Sequence, residues 1–232
     1  MSKLLPTQRS VSQLVEHFSS GEIAVPEIQR DVVWKPEQVK QLIDSINLDY
    51  PCGSRICWEP REKDAHVVRS MIRPERLKKQ GGKLPRYFLL DGQQRLTALA
   101  SVFLKREELG ELLPELSEDM PYIVVNLKRF PKDIETRTDL IANEFPWVLL
   151  NRLFDNSIQN DPGFQSLASD QREKVSKYAQ RVRDYSFPVQ IIQDQDYAAV
   201  AEIFRRVNSL GTQLTGAEIQ LARIVPDRKS VV

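Results

Sequence analysis

The run Tyr87-Phe88-Leu89-Leu90-Asp91-Gly92-Gln93-Gln94-Arg95-Leu96 is the segment of this chain best equipped for chemistry. Four apolar residues lead into Asp-Gly, and a helical apolar pattern opens directly afterwards, so a strand should end where a helix begins. A helix start offers N–H groups without intrahelical partners and a partial positive charge. Gly92 allows close backbone approach or a positive φ, and the amides of Gln93 and Gln94 add donors and acceptors. That combination suits an anion. Arg95 sharpens it, because a cation in the first turn opposes the helix dipole and costs a few tenths of a kcal/mol to about 1 kcal/mol unless an anion offsets it. Phosphate is the anion that helix starts hold. The same residues also fit a plain turn, with Asp91 as N-cap and Arg95 pointing to solvent.

Two further segments carry suitable groups. Pro26-Glu27-Ile28-Gln29-Arg30-Asp31 precedes Trp34 and a helix opened by Pro36, and Gln29 and Arg30 can grip a phosphate or a base edge. Near the far end, Phe204-Arg205-Arg206-Val207-Asn208-Ser209-Leu210-Gly211 closes a helix with short polar side chains, which either complete a pocket wall or form a C-cap. Between Arg69 and Arg86 there are seven basic residues and one acidic, Glu75, around Gly81-Gly82. This is an exposed loop, either plain solvated surface or a contact for nucleic-acid phosphates through Arg76, Lys78, Lys79 and Lys83. The six acidic residues from Glu107 to Asp119 read as solvated surface. Cys52 and Cys57 lack the spacing and the neighbouring histidines of a zinc site and are expected to be reduced thiols near one strand.

The elements that must position these groups follow from periodicity. Apolar residues recur at i, i+3, i+4 and i+7 in Val11/Leu14/Val15/Phe18, Val39/Leu42/Ile43/Ile46, Leu96/Leu99/Ala100/Phe103 and Val200/Ile203/Phe204/Val207, which predicts four amphipathic helices. Ser10 with Gln13 forms a capping box, Pro36 suits a first turn, and Thr215 with Glu218 starts a last helix. Strands are predicted over Arg55–Trp58, Tyr87–Leu90, Tyr122–Leu127 and Phe187–Ile192. The section from about Asp133 to Asp184 reads as a helical insertion with its own aromatic cluster, Phe145, Trp147, Phe154 and Phe164. With 232 residues the chain can bury roughly 70–75% of its unfolded surface. Hydrophobic residues at 41% and charged at 28% exclude collagen-like, coiled-coil and largely disordered classes, and a net charge of +1 argues against a histone-like binder. With no apolar run long enough for a membrane helix and no signal-peptide pattern at the start, the expected location is the cytoplasm, away from any membrane.

Taken together, Pro26–Trp34 with the helix Pro36–Leu48 and Tyr50-Pro51-Cys52-Gly53-Ser54, then Asp91-Gly92-Gln93-Gln94-Arg95, then Phe204–Gly211 with Leu214-Thr215, resemble the N-terminal domain family of the GmrSD-type modification-dependent restriction endonucleases. The resemblance runs from about Val11 to Ile224. It implies an α+β fold, a ParB/sulfiredoxin-like small mixed sheet with flanking helices and a helical inserted subdomain. It implies a nucleotide-hydrolysing, DNA-sensing domain, usually followed by an HNH nuclease domain. Asp91 and Arg95 then become the catalytic pair, with Gln29, Arg30, Gly92, Gln93, Gln94 and Asn208 around the phosphates. A nucleoside triphosphate with Mg2+ is the implied substrate, Asp91 being the candidate metal ligand, and the implied partners are DNA, modified or not, and a nuclease domain or subunit.

No GxxxxGK[ST] P-loop is present, so Walker-type hydrolysis is not expected. A non-catalytic DNA-binding adaptor is the alternative, in which the same groups hold backbone phosphates; a ParB-like nuclease is weaker, lacking a clustered carboxylate set. The HNH domain is missing from the 232 residues, the domain is expected to span 1–226, and Asp227–Val232 has a non-native look, so a truncated fragment is expected.

Overall fold

The computed structural model of the chain describes residues 3–25, 34–70, 81–112, 122–131, 134–137 and 145–209, and the fold is that of these residues. Strand β1 (Lys3–Ser10) runs into helix α1 (Val11–Ser19), where the Ser10 side chain accepts from the Gln13 N–H (3.2 Å) and Gln13 reaches back to the Ser10 N–H (3.0 Å). This capping box satisfies two donors that a helix start leaves open. The apolar stripe Val11, Leu14, Val15 and Phe18 is buried, as is Val39, Leu42, Ile43 and Ile46 on α2 (Pro36–Asn47). After β2 (Ile23–Ala24) and α2 come β3 (Arg55–Trp58), a short α3 (Ala65–Ser70), β4 (Tyr87–Asp91) and α4 (Gln93–Phe103). Helix α5 (Arg106–Leu112), strands β5 (Tyr122–Asn126), β6 (Ile134–Arg137) and β7 (Trp147–Leu149), and helices α6 (Asn151–Phe154), α7 (Pro162–Gln165) and α8 (Ser169–Asp184) follow. Strand β8 (Ser186–Gln193) and α9 (Tyr197–Ser209) close the described chain.

The protein is α+β, with a five-stranded mixed sheet in the order β1-β8-β3-β4-β2 and a three-stranded sheet β6-β5-β7. Alternation along the central strands sends side chains to two separate apolar clusters, as a pleat with both faces covered requires. Tyr87 and Leu89 of β4 join Cys57, Val189 and Ile191 in the large core with α1, α2, α4 and α8. Phe88 and Leu90 join Trp58 and Ile192 on the opposite face, where Val200 and, less buried, Ile203 and Phe204 of α9 cover them.

The section from Asp133 to Asp184 is not helical throughout. β6 and β7 flank β5 in the small sheet, and among the described residues of this section helix begins at Asn151. Of its aromatic residues, Phe154 and Phe164 belong to the large core, where Phe154 stacks on Phe103 of α4 at 4.2 Å, while Phe145 is part-exposed with Lys128 over its ring. The helix expected from Thr215 and the tail from Asp227 lie outside the described residues. Among the described residues, no helix is long and apolar enough to cross a membrane.

Candidate functional site

Antiparallel pairing brings the start of one strand to the end of another. Ile56 of β3 lies opposite Asp91 of β4, so Arg55, the first residue of β3, stands beside the Asp91-Gly92 turn. β4 is buried from Tyr87 to Leu90, and Gly92 then takes φ +93 and ψ 16 as the N-cap of α4. This left-handed conformation suits glycine. Asp91 is therefore the last residue of the strand and not the helix cap, and Gly92 offers no side chain to cap the first turn.

Arg95 does not point to solvent. Its Nη1 donates to the Cys52 carbonyl at 2.6 Å, and its Nη2 lies 3.6 Å from Asp91 Oδ2. The loop that receives it, Tyr50 to Ser54, is itself pinned: the Cys52 N–H donates to the Tyr185 hydroxyl (3.1 Å), which donates to the Tyr50 carbonyl (2.8 Å). Gly53 sits at φ +74 against the Arg95 guanidinium, and a Cβ there would lie 3.2 Å from Cζ and overlap Nη1. Two backbone turns thus hold Arg95 and Asp91 in place at the start of an eleven-residue helix.

Arg55 is the residue that sequence reasoning missed. Its side chain is fully buried, with Nη1 donating to the Ser54 carbonyl (3.2 Å) and the guanidinium 4.0 Å above the Phe187 ring. A Cβ on Gly92 would overlap Arg55 Cδ and lie 3.0 Å from Nε, so the glycine at the helix start also makes room for this arginine. Burial, then the neighbouring charge of Arg95, lowers the Arg55 pKa to about 9, while Asp91 opposes the shift. The arginine remains a cation at neutral pH. Its only trace in the sequence is a charged residue opening an otherwise apolar run, Arg-Ile-Cys-Trp.

Among the described residues the site therefore holds two guanidiniums and one carboxylate at a helix N-terminus, an excess of positive charge that fits an anion. Among the described residues a divalent ion would find a single protein carboxylate here, Asp91, already within range of Arg95, and no three His, Cys, Asp or Glu come together. Asp91 is the described residue that would hold a magnesium ion at this place. Cys57 on β3 is a free, buried thiol pushed up to about 12 by that burial, which leaves it inert; Cys52 is also free.

The other expected site residues are distributed as follows. Gln93 and Gln94 occupy the first turn of α4, half-buried. Asn208 belongs to α9, which packs against β4, but its side chain lies outside the described residues, as do Gln29, Arg30, Arg76, Lys78 and Lys79. Lys83 is exposed; Arg86, at the end of the basic run, is held by Glu59 at 3.0 Å and lies over Tyr87. A cavity of about 400 Å³ opens elsewhere, lined by Val39, Lys105, Arg106, Tyr122, Asn151 and Arg152 among others, and it shares no residue with the site at Asp91.

A mixed sheet with helices on both faces defines an α+β domain, with Asp91 and Arg95 together at the start of α4. The chain belongs to the GmrSD restriction endonuclease N-terminal domain family, whose model matches residues 11–225, and that membership places it among the domains of restriction systems. Over 93 residues it is 31% identical to an uncharacterized protein, MJ0686, of Methanocaldococcus jannaschii. That match spans 39% of this chain and only 16% of the relative's length.

Proposed function

We propose that this chain is the nucleotide-hydrolysing, DNA-sensing domain of a modification-dependent restriction or phage-defence system. The observation that supports it is the convergence of Asp91 and Arg95 at the glycine-capped start of α4, with Arg95 aimed by the Cys52 carbonyl. A terminal phosphate placed there meets the positive end of the helix and the Arg95 guanidinium, groups that oppose the charge developing as the phosphoryl group transfers. Asp91, with 37% of its side chain exposed, is free to accept a hydrogen bond from the attacking water and orient it.

Gly92, Gln93 and Gln94 line the phosphate, and Gln29, Arg30 and Asn208 complete its surroundings. Mg2+ enters as part of the nucleotide substrate. The basic stretch with Arg76, Lys78, Lys79 and Lys83 contacts DNA phosphates, and cleavage belongs to a separate nuclease domain or subunit. Phosphate release measured across the four nucleoside triphosphates, with and without modified DNA, tests this directly. Turnover supports the reading; DNA binding without turnover of any nucleotide replaces it with a non-catalytic adaptor.

A further inference from the structure

A fully buried arginine with donors left over is costly. Buried polar groups are nearly always hydrogen-bonded, and a buried charge without a partner is among the most destabilising arrangements a fold can contain. Nε and Nη2 of Arg55 are both buried and have no hydrogen-bond partner among the described residues. These two nitrogens form one edge of the guanidinium, the fork that matches a pair of oxygens on a phosphate or carboxylate. The rest of the group is committed: Nη1 to the Ser54 carbonyl, one face to Phe187. Position is equally specific, since the edge lies beneath Gly92, the N-cap of α4.

We propose that Arg55 is the second cation of the phosphate site, its Nε–Nη2 edge taking two oxygens of the terminal phosphoryl group of a nucleoside triphosphate while Arg95 takes the outer side. This rests on the nucleotide reading above and narrows it to a terminal phosphate. A phosphodiester within DNA carries the chain onward through two of its oxygens and cannot bring its free ones down to a guanidinium this deep. A terminal phosphoryl group, with three free oxygens, can. Binding moves the Gly92 turn off the edge of Arg55, and a residue without a side chain is suited to that displacement. The buried cation is thus a group kept at a cost to the empty fold and compensated by the ligand.

The test uses thermal unfolding of the full chain with tripolyphosphate, with each nucleoside triphosphate, and with an oligonucleotide lacking terminal phosphates, comparing the parent with Arg55→Met and Arg55→Lys. The parent should be stabilised by tripolyphosphate and by at least one nucleotide, and not by the oligonucleotide through this site. Arg55→Met, which replaces an unpaired buried charge with an apolar chain of similar length, should melt at or above the parent without ligand. It should need about 10- to 100-fold more tripolyphosphate for the same shift, the range expected for a lost charge-assisted fork. Arg55→Lys keeps the charge without the fork and should fall between.

If Arg55→Met fails to fold or melts below the parent, the arginine is structural and the proposal is overturned. Parent-like ligand shifts in Arg55→Met or Arg55→Lys overturn the assignment of Arg55 alone and leave the nucleotide reading standing. A parent that responds to no triphosphate overturns both. An oligonucleotide shift that depends on Arg55 overturns the terminal-phosphate assignment in favour of a backbone phosphate.

Discussion

Gly92→Ala should be one of the most damaging single-methyl additions in this protein. Gly92 sits at φ +93, where an L-residue carries roughly 1–2 kcal/mol of backbone strain. Its new Cβ would also overlap Arg55 Cδ, a mid-chain atom of a side chain that is buried and fixed against Phe187, so the clash cannot be relieved by swinging a flexible tip. Overpacking of that kind costs about 1–3 kcal/mol. The sum, about 2–5 kcal/mol, is a large part of the roughly 5–15 kcal/mol that holds a typical domain together. At about 2–4 °C per kcal/mol for a chain of this size, the midpoint should fall by about 4–20 °C. Thermal and urea unfolding followed by far-UV circular dichroism measure it. Gly82→Ala is the control: φ there is +77, but nothing lies within 4 Å of the added carbon, so only the backbone strain applies. If Gly92→Ala costs no more than Gly82→Ala, the packing of Arg55 beneath the helix start is wrong.

Three other perturbations probe separate parts of the molecule. Arg95→Ala or Asp91→Asn should lower nucleotide turnover by two to three orders of magnitude, roughly 3–4 kcal/mol of transition-state stabilisation, in the phosphate-release assay; a folded Arg95→Ala protein with parental turnover refutes the assignment. Lys83→Gln should flatten the dependence of log DNA affinity on log salt by a little under one unit, with further loss when Arg76, Lys78 and Lys79 are replaced as well, and an unchanged slope makes the loop plain surface. Asp161 caps α7 by accepting from the Gly163 and Phe164 N–H groups at 2.8 and 3.1 Å and pairs with Arg152 at 2.9 Å. Burial alone would raise its pKa, but those backbone bonds and Arg152 outweigh it and hold the carboxyl below its ordinary value. A depressed folded pKa gives stability that is present above the unfolded value, near about 3.9, and lost as pH falls through the folded one. The melting-temperature gap between the parent and Asp161→Asn should therefore be widest near neutral pH and close in strong acid; a constant gap shows that the charge contributes nothing.

Helices whose one face is continuously apolar announced themselves: α1, α2, α4 and α9 lie where Val11, Val39, Leu96 and Val200 begin their repeats, and β3, β4, β5 and β8 lie where β-branched and aromatic residues crowd between turn formers. β1 did not. Lys3–Ser10 carries Pro6 and mostly polar or charged residues, and it forms a strand because β8, almost the whole chain away, offers it a full-length antiparallel edge. Pro6 is tolerated there because an edge strand can leave one side unpaired. β6 and β7 are short strands recruited by β5, and neither is long enough to show a period of two. At the site, Asp91 through Arg95 was legible because strand, glycine and helix start adjoin in sequence. Arg55 was not, because its meaning depends on a strand pairing that sets it beside Asp91 and on a helix that closes over it.

The pairing of Lys3 with Gln193 has a consequence for how this protein is made. At synthesis rates of about 5–20 residues per second, β8 follows β1 off the ribosome by roughly 10–40 s. During that interval β1 has no neighbour and β3 lacks the strand that lies between it and β1 in the finished sheet. Phe187, which carries the guanidinium of Arg55 on its ring, arrives with the same late strand. The nascent domain therefore cannot assemble its charged centre until β8 has emerged, and that step draws two distant parts of the chain together.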